Sequence, residues 1–149
     1  MEARIRRENE VRTMSNATIV REFLDAAWNR GDVSGIEMLV AVDHADHGAD
    51  GDDVGRDHLV DEVREYRAAF PDLKMSFEDQ ISESDRVVTR WTARGTNLGP
   101  FQGVAATGRQ ATVSGIFICR VVGGRITETW SSFDRFGLAQ QLRSQKPTE

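Results

Sequence analysis

The spacing of apolar residues changes once along this chain, and that change limits the fold more than any other feature. Up to Phe70 the apolar residues recur at helical spacing. Ile19, Val20, Phe23, Leu24, Ala27 and Trp28 form one stripe, and Leu59, Val60, Val63, Tyr66 and Phe70 another. From Leu73 onward the period falls to two, with Leu73, Met75, Phe77 and Ile81 alternating with mostly polar residues. Arg86–Thr96, Thr112–Val122 and Arg125–Phe133 then read as three long strands. Gly123-Gly124 closes the last two into a hairpin of the primed turn type. Helices followed by hairpin-linked antiparallel strands specify an α+β domain.

Local signals set the boundaries. Ser15 or Asn16 caps the first helix and Gly31 stops it. A short helix follows with Ser34 as cap and Ile36, Leu39 and Val40 inward. His44–His47 reads as a short strand or loop, and a polar surface loop continues to Gly55. Asp57 caps the third helix and Pro71 ends it. Asn97–Gly108 is an extended loop, and Gly137–Leu142 a short terminal helix. The expected organisation is a flexible N-terminal extension over 1–14, one domain over 15–142 and a tail over 143–149.

Composition removes several function classes. A net charge of −5 argues against a general nucleic-acid binder, which needs a basic face. No run reaches the ~20 apolar residues that span a bilayer. Met1–Thr13 is charged throughout and has no apolar stretch of the secretory type. The one cysteine, Cys119, allows no internal disulfide, fits a reducing cytoplasm, and sits among apolar neighbours as a small buried hydrophobe.

The last strand holds the main site candidate. Strict alternation puts Ile126, Glu128, Trp130, Ser132 and Asp134 on one side. That side carries the bulk and is expected to face the helices. Asp134 would then enter an apolar pocket, where its pKa can rise and it can trade protons with a substrate. Trp130 would offer a flat aromatic substrate a contact. Arg90, between Val88 and Thr92, would bind an enolate, carboxylate or ester on the pocket side, or be a surface or dimer-interface arginine on the other. Arg120 follows Ile116 and Ile118 on one side of its strand and is a second pocket candidate. Phe101 would form a lid or plug the core. His44-x-x-His47 has a plausible ligand-pair spacing, but no third ligand has a defined geometry, so no metal site is expected.

Several motifs in order carry a resemblance. They are Phe70-Pro71-Asp72-Leu73, Gly95-Thr96-Asn97-Leu98-Gly99-Pro100-Phe101-Gln102-Gly103, Thr107-Gly108-Arg109, Gly115-Ile116, Gly124-Arg125-Ile126-x-Glu128-x-Trp130-x-x-x-Asp134 and Gly137-Leu138-x-Gln140-Gln141-Leu142. Together they resemble the SnoaL-like polyketide (ester) cyclase family over roughly Ser15–Leu142. The resemblance implies an NTF2-like cone, a strongly curved sheet wrapped round helices with a deep apolar pocket. It implies homodimers and a cofactor-free, aldol-type ring closure of aromatic polyketide intermediates. The family's acid/base Asp falls on Asp134, and a histidine that the family often carries falls on His47, preceded by Asp46. Where the family commonly has Gly-Thr-His, this chain has Asn97, which hydrogen-bonds but does not change charge near neutral pH. The alternatives are a hydroxylase component acting on anthracycline-type rings, with a separate reductase, and a non-catalytic small-molecule binding protein.

Overall fold

The computed structural model describes residues 1–48 and 51–143. Among the described residues, five α-helices and six strands follow in this order: α1 (Glu2–Thr13), α2 (Asn16–Leu24), α3 (Val33–Leu39), β1 (Val40–Gly48), β2 (Gly51–Val54), α4 (Arg56–Ala69), β3 (Lys74–Glu83), β4 (Arg86–Thr96), β5 (Gln110–Val122), β6 (Arg125–Phe133) and α5 (Arg135–Arg143). The sheet order is β2-β1-β6-β5-β4-β3. Only β1 and β6 run parallel. The sheet is unclosed and curves around α2 and α4, giving the cone-shaped α+β architecture expected from the sequence. The segment before Ser15 is helical, with Val11 buried. The expected C-terminal tail lies outside the described residues after Arg143.

Helix α2 forms because its apolar residues share one face, which buries Ile19, Val20, Phe23 and Leu24. Each such side chain contributes roughly 1.5–3 kcal/mol on leaving water. Ser15 caps it, accepting from the N–H of Thr18. The helix widens into a π-helical turn, Asp25–Arg30, which Gly31 ends in a left-handed conformation (φ 59°). Within that turn Asn29 acts as a short piece of strand. Its Oδ1 accepts from Met75 N–H at 2.6 Å and its Nδ2 donates to Met75 C=O at 3.0 Å, so the start of edge strand β3 is not left unpaired.

Two helix starts differ from expectation. Asp32, not Ser34, caps α3 by accepting from Gly35 N–H, and Ser34 donates to Asp32. Helix α4 begins one residue before Asp57, after Gly55, with no side-chain cap.

The larger correction is in the sheet. Arg120 pairs with Glu128 but Val121 pairs with Ile126, so Thr127 is an extra residue on β6. This β-bulge reverses the alternation beyond it. The inward set is therefore Ile126, Thr129, Ser131 and Phe133. Glu128, Trp130 and Ser132 face outward, against expectation. A second bulge between Phe77 and Asp79 turns Ile81 outward, where it is 67% exposed.

Candidate active site

The inner face of the sheet and the helices enclose an apolar cavity of about 640 Å³, counting its open mouth. Trp28, Phe70, Met75, Trp91, Val113 and Phe117 form its walls, and Leu138 of α5 covers part of it. Glu62, Tyr66, Ser131 and Phe133 line both this cavity and a polar cleft outside it, so they form the neck between the two. The cleft adds Asp46, Asp53, His58, Asp61, Glu65 and Arg135.

The chemistry concentrates at the neck. Glu62 lies between Leu59 and Tyr66 on the buried side of α4, and Asp46 points inward from β1. Their side chains hydrogen-bond to each other. Two carboxyls make such a bond only when one holds a proton. Oδ1 of Asp46 is buried and receives no N–H or hydroxyl donor. Burial and the Asp46 charge push Glu62 up to about 7, while nearby Arg135 opposes the rise. Burial also raises Asp46. The two carboxyls therefore titrate as a coupled pair, and the proton they share is being lost as pH passes about 7.

The residues singled out in the sequence are mostly elsewhere. Asp134 is exposed and caps α5: Gly137 N–H donates to its Oδ1 at 2.7 Å, and Leu138 N–H to its main-chain oxygen at 3.1 Å. His47 is on the outer face of β1. Its Nε2 lies 2.6 Å from Glu128, its Nδ1 2.7 Å from Asp52, and its ring stacks on Trp130 at 5.2 Å. The bonds to Asp52 and Glu128 raise its pKa above the usual histidine value. Trp130 also carries the Arg86 and Arg120 guanidiniums at 5.2 and 5.9 Å. Arg120 pairs with Glu128 at 3.1 Å and Asp85 at 3.4 Å, and Arg90 pairs with Asp79 at 2.6 Å. Both arginines face away from the cavity because Arg90 and Arg120 alternate with the inward Trp91, Phe117 and Cys119.

Asn97 is buried and serves the backbone. Its Nδ2 donates to Gly99 C=O at 2.9 Å, and its Oδ1 accepts from Thr107 N–H at 2.9 Å and Thr107 Oγ1 at 3.0 Å. It thus staples the 97–109 loop. Phe101, from that loop, packs on Tyr66 and Phe70 with ring centroids at 5.2 and 5.5 Å. It lines a side cavity with Tyr66 and Arg135, and not the main cavity itself.

His44 and His47 fall on opposite faces of β1. His44 is fully buried, with Nε2 2.9 Å from Thr129 Oγ1, and burial lowers its pKa to about 4. Cys119 is buried against the same Thr129 hydroxyl, at 3.7 Å, and is pushed up to about 12 by desolvation, as suits an inert thiol. Among the described residues, no group of three or more His, Cys, Asp or Glu is arranged to hold a metal ion, and no helix is long and apolar enough to cross a membrane.

The sequence signature of the SnoaL-like polyketide cyclases matches residues 18–142, most of the chain. No curated protein matches it at the sequence level. Among solved structures, AclR of Streptomyces galilaeus, a candidate hydroxylase, superposes with a TM-score of 0.77 at 28% identity, over 90% of this chain and 84% of its own. IdmH of Streptomyces antibioticus, a candidate polyketide cyclase, gives 0.77 at 28% identity, over 88% and 100%. An NTF2-like protein of unknown function from Burkholderia pseudomallei gives 0.72 at 24% identity, over 88% and 100%, and supports the fold alone. The chain belongs to the SnoaL-like polyketide cyclase family.

Proposed function

We propose that this member of the SnoaL-like family is a polyketide-tailoring enzyme that closes a ring by an aldol-type reaction, with the Asp46–Glu62 pair as acid and base. The observation that carries the proposal is a buried pair of carboxyls, Asp46 and Glu62, at the neck of an apolar cavity. The family membership and the likeness to IdmH support the substrate class.

The chemistry asks little of the protein. A carbon between two carbonyls is already acidic. The ionised carboxyl of Glu62, partnered by Asp46, removes its proton and leaves an enolate. The enolate carbon attacks a second carbonyl, forming the C–C bond, and the new alkoxide takes the proton back from Glu62. No atom is gained or lost. A base near 7 suits this because it is both available and strong enough at neutral pH. The cavity holds the two carbons together and excludes water. In this proposal Asp134 has no proton to move: it holds α5, whose Leu138 closes the cavity.

The test is product formation from an anthraquinone-type open-ring methyl ester by wild type and Glu62→Gln. The expected loss on substitution is about 10²–10⁴ in kcat. Ring closure at undiminished rate by Glu62→Gln would remove the pair from the mechanism. The likeness to AclR favours a second reading, hydroxylation with a separate reductase and oxygen. Conversion that depends on adding those two would select it. The homodimer implied by the resemblance belongs to the same proposal, and light scattering in solution measures it.

A further inference from the structure

Tyr66 lines three spaces at once: the apolar cavity, the cleft outside its neck, and the side cavity between α5 and the 97–109 loop. Leu138 lines both the apolar cavity and the side cavity, so these two adjoin along α5. A ligand seated in the apolar cavity and longer than it has two routes out, and the routes differ in charge. The cleft is lined by the carboxyls of Asp46, Asp53, Asp61, Glu62 and Glu65, against His58 and Arg135. The side cavity, about 830 Å³ counting its open mouth, is lined by Arg135 and Arg143, and among the described residues none of its lining side chains is acidic. A recess with apolar walls and charge of one sign focuses its field and raises the local concentration of the opposite ion.

Helix α5 builds the cationic route from one stripe. Arg135, Leu138, Ala139, Leu142 and Arg143 are spaced i, i+3, i+4, i+7 and i+8, and all five line the side cavity. The arginines are thus at the two ends of an apolar strip, about 12 Å apart along the helix axis. Arg135 also lines the cleft, so its charge is divided between the routes. Arg143 lines the side cavity alone and has no ion-pair partner among the described residues. It follows Leu138 by five residues, about 7.5 Å along the helix.

We infer that the side cavity is a subsite for an anionic arm on the ring ligand: an aliphatic chain of about six carbons leaves the apolar cavity past Leu138 and sets its carboxylate on Arg143. The carboxyls of the cleft turn the same arm away from the other route. The inference rests on the reading that a flat ring system occupies the apolar cavity, and it narrows the substrate class to rings that carry a long-armed acid.

The probes are 6-(2-naphthyl)hexanoic acid and its methyl ester, and 2-naphthoic acid and its methyl ester, whose carboxyl is too short to reach Arg143. Binding of each is measured by titration calorimetry at low salt, and the acid-to-ester affinity ratio cancels changes in packing. Arg143→Gln should lower the long-arm ratio by about 3–5-fold, the worth of a partly exposed ion pair, and leave the short-arm ratio unchanged. Arg64→Gln, which removes a charge from an exposed position on α4 outside the side cavity, should change neither ratio. The methyl resonances of Val104 and Leu142, which line the side cavity and neither of the other two spaces, should shift on saturation with the long-arm acid. A long-arm ratio unchanged in Arg143→Gln overturns the inference. So does an equal fall in the short-arm ratio or in Arg64→Gln, a stationary pair of methyl resonances, or failure of wild type to bind the long-arm acid. The ring-closure assay separates the two proposals. Arm-dependent binding without turnover leaves the subsite standing and removes the cyclase reading. Turnover with an unchanged ratio does the reverse.

Discussion

Gly137 N–H donates to Asp134 Oδ1 at 2.7 Å, so the carboxylate that follows β6 is fixed on the N-terminus of α5. Asparagine caps a helix about as well as aspartate, and alanine does not. Asp134→Asn is therefore expected to stay within a few-fold of wild-type kcat/KM. Asp134→Ala should lose about 1 kcal/mol of stability, read from a denaturant midpoint. A loss of about 10² or more in Asp134→Asn would return the acid/base role to this residue.

The shared proton makes stability depend on pH with a definite sign. Glu62 titrates near its ordinary value of 4.5 when unfolded and near 7 when folded. Between those values the native state holds the extra proton. Stability thus falls as pH rises through this window and stays low above it. Glu62→Gln should flatten that slope and raise the stability at pH 8 by on the order of 1–3 kcal/mol. Thermal melts at pH 5 and pH 8 measure it.

His44 has the opposite dependence. Its folded pKa of about 4 is below the ordinary 6.5, so the unfolded chain binds the extra proton between them. Its contribution is whole above 6.5 and is lost as pH falls toward 4. His44→Gln should gain resistance to acid relative to its own stability at pH 7, by urea titration at pH 4.5 and 7. An unchanged acid limb would mean that His44 stays uncharged in both states.

The activity profile should report the pair. Since the base must be ionised to accept a proton, kcat/KM should rise with pH through an apparent value near 7, and this limb should vanish in Glu62→Gln. The limb belongs to the Asp46–Glu62 unit and not to either residue.

Thr127 tests the bulge. Deleting it would remove the bulge and bring the Val121–Ile126 and Arg120–Glu128 pairs into regular succession, with Thr129 and Ser131 still inward and Glu128 and Trp130 still outward. The deletion should therefore keep cooperative folding, whereas deleting Glu128, which moves Thr127 opposite Arg120 and leaves the bulge to be rebuilt, should cost more stability; Thr127→Val should change it by less than about 1 kcal/mol. Circular dichroism and thermal melts compare the three.

Most elements were legible in the sequence because helical and strand periods differ on either side of Phe70; β1 and β2 were not, since their polar, acidic run was read as a short strand or loop at His44–His47 followed by a surface loop. The site was less so, for a specific reason. One inserted residue inverts every side chain after it, and alternation carries no mark of where an insertion lies. A partial mark existed: Ile126 and Phe133 are seven apart, an odd number, so both can face the core only with an extra residue between them. Glu62 was visible too, as a carboxylate between Leu59 and Tyr66 in an otherwise apolar stripe. Its meaning depended on Asp46, which β1 brings across from 16 residues away in sequence. Asn97 gave no such warning, since a staple and a substrate ligand use the same amide.

That staple has a consequence for how such a scaffold diversifies. Asn97 N–H donates to Arg109 C=O at 2.8 Å and Gly108 N–H donates back to Asn97 C=O at 2.9 Å, so the two ends of the loop are locked together independently of what lies between them. Leu98, Gly99, Phe101 and Thr107 are tied to α4 or to Asn97, so it is the exposed stretch 102–106 whose length and sequence can drift without disturbing the sheet. Selection can thus retune the doorway while the room behind it is inherited intact.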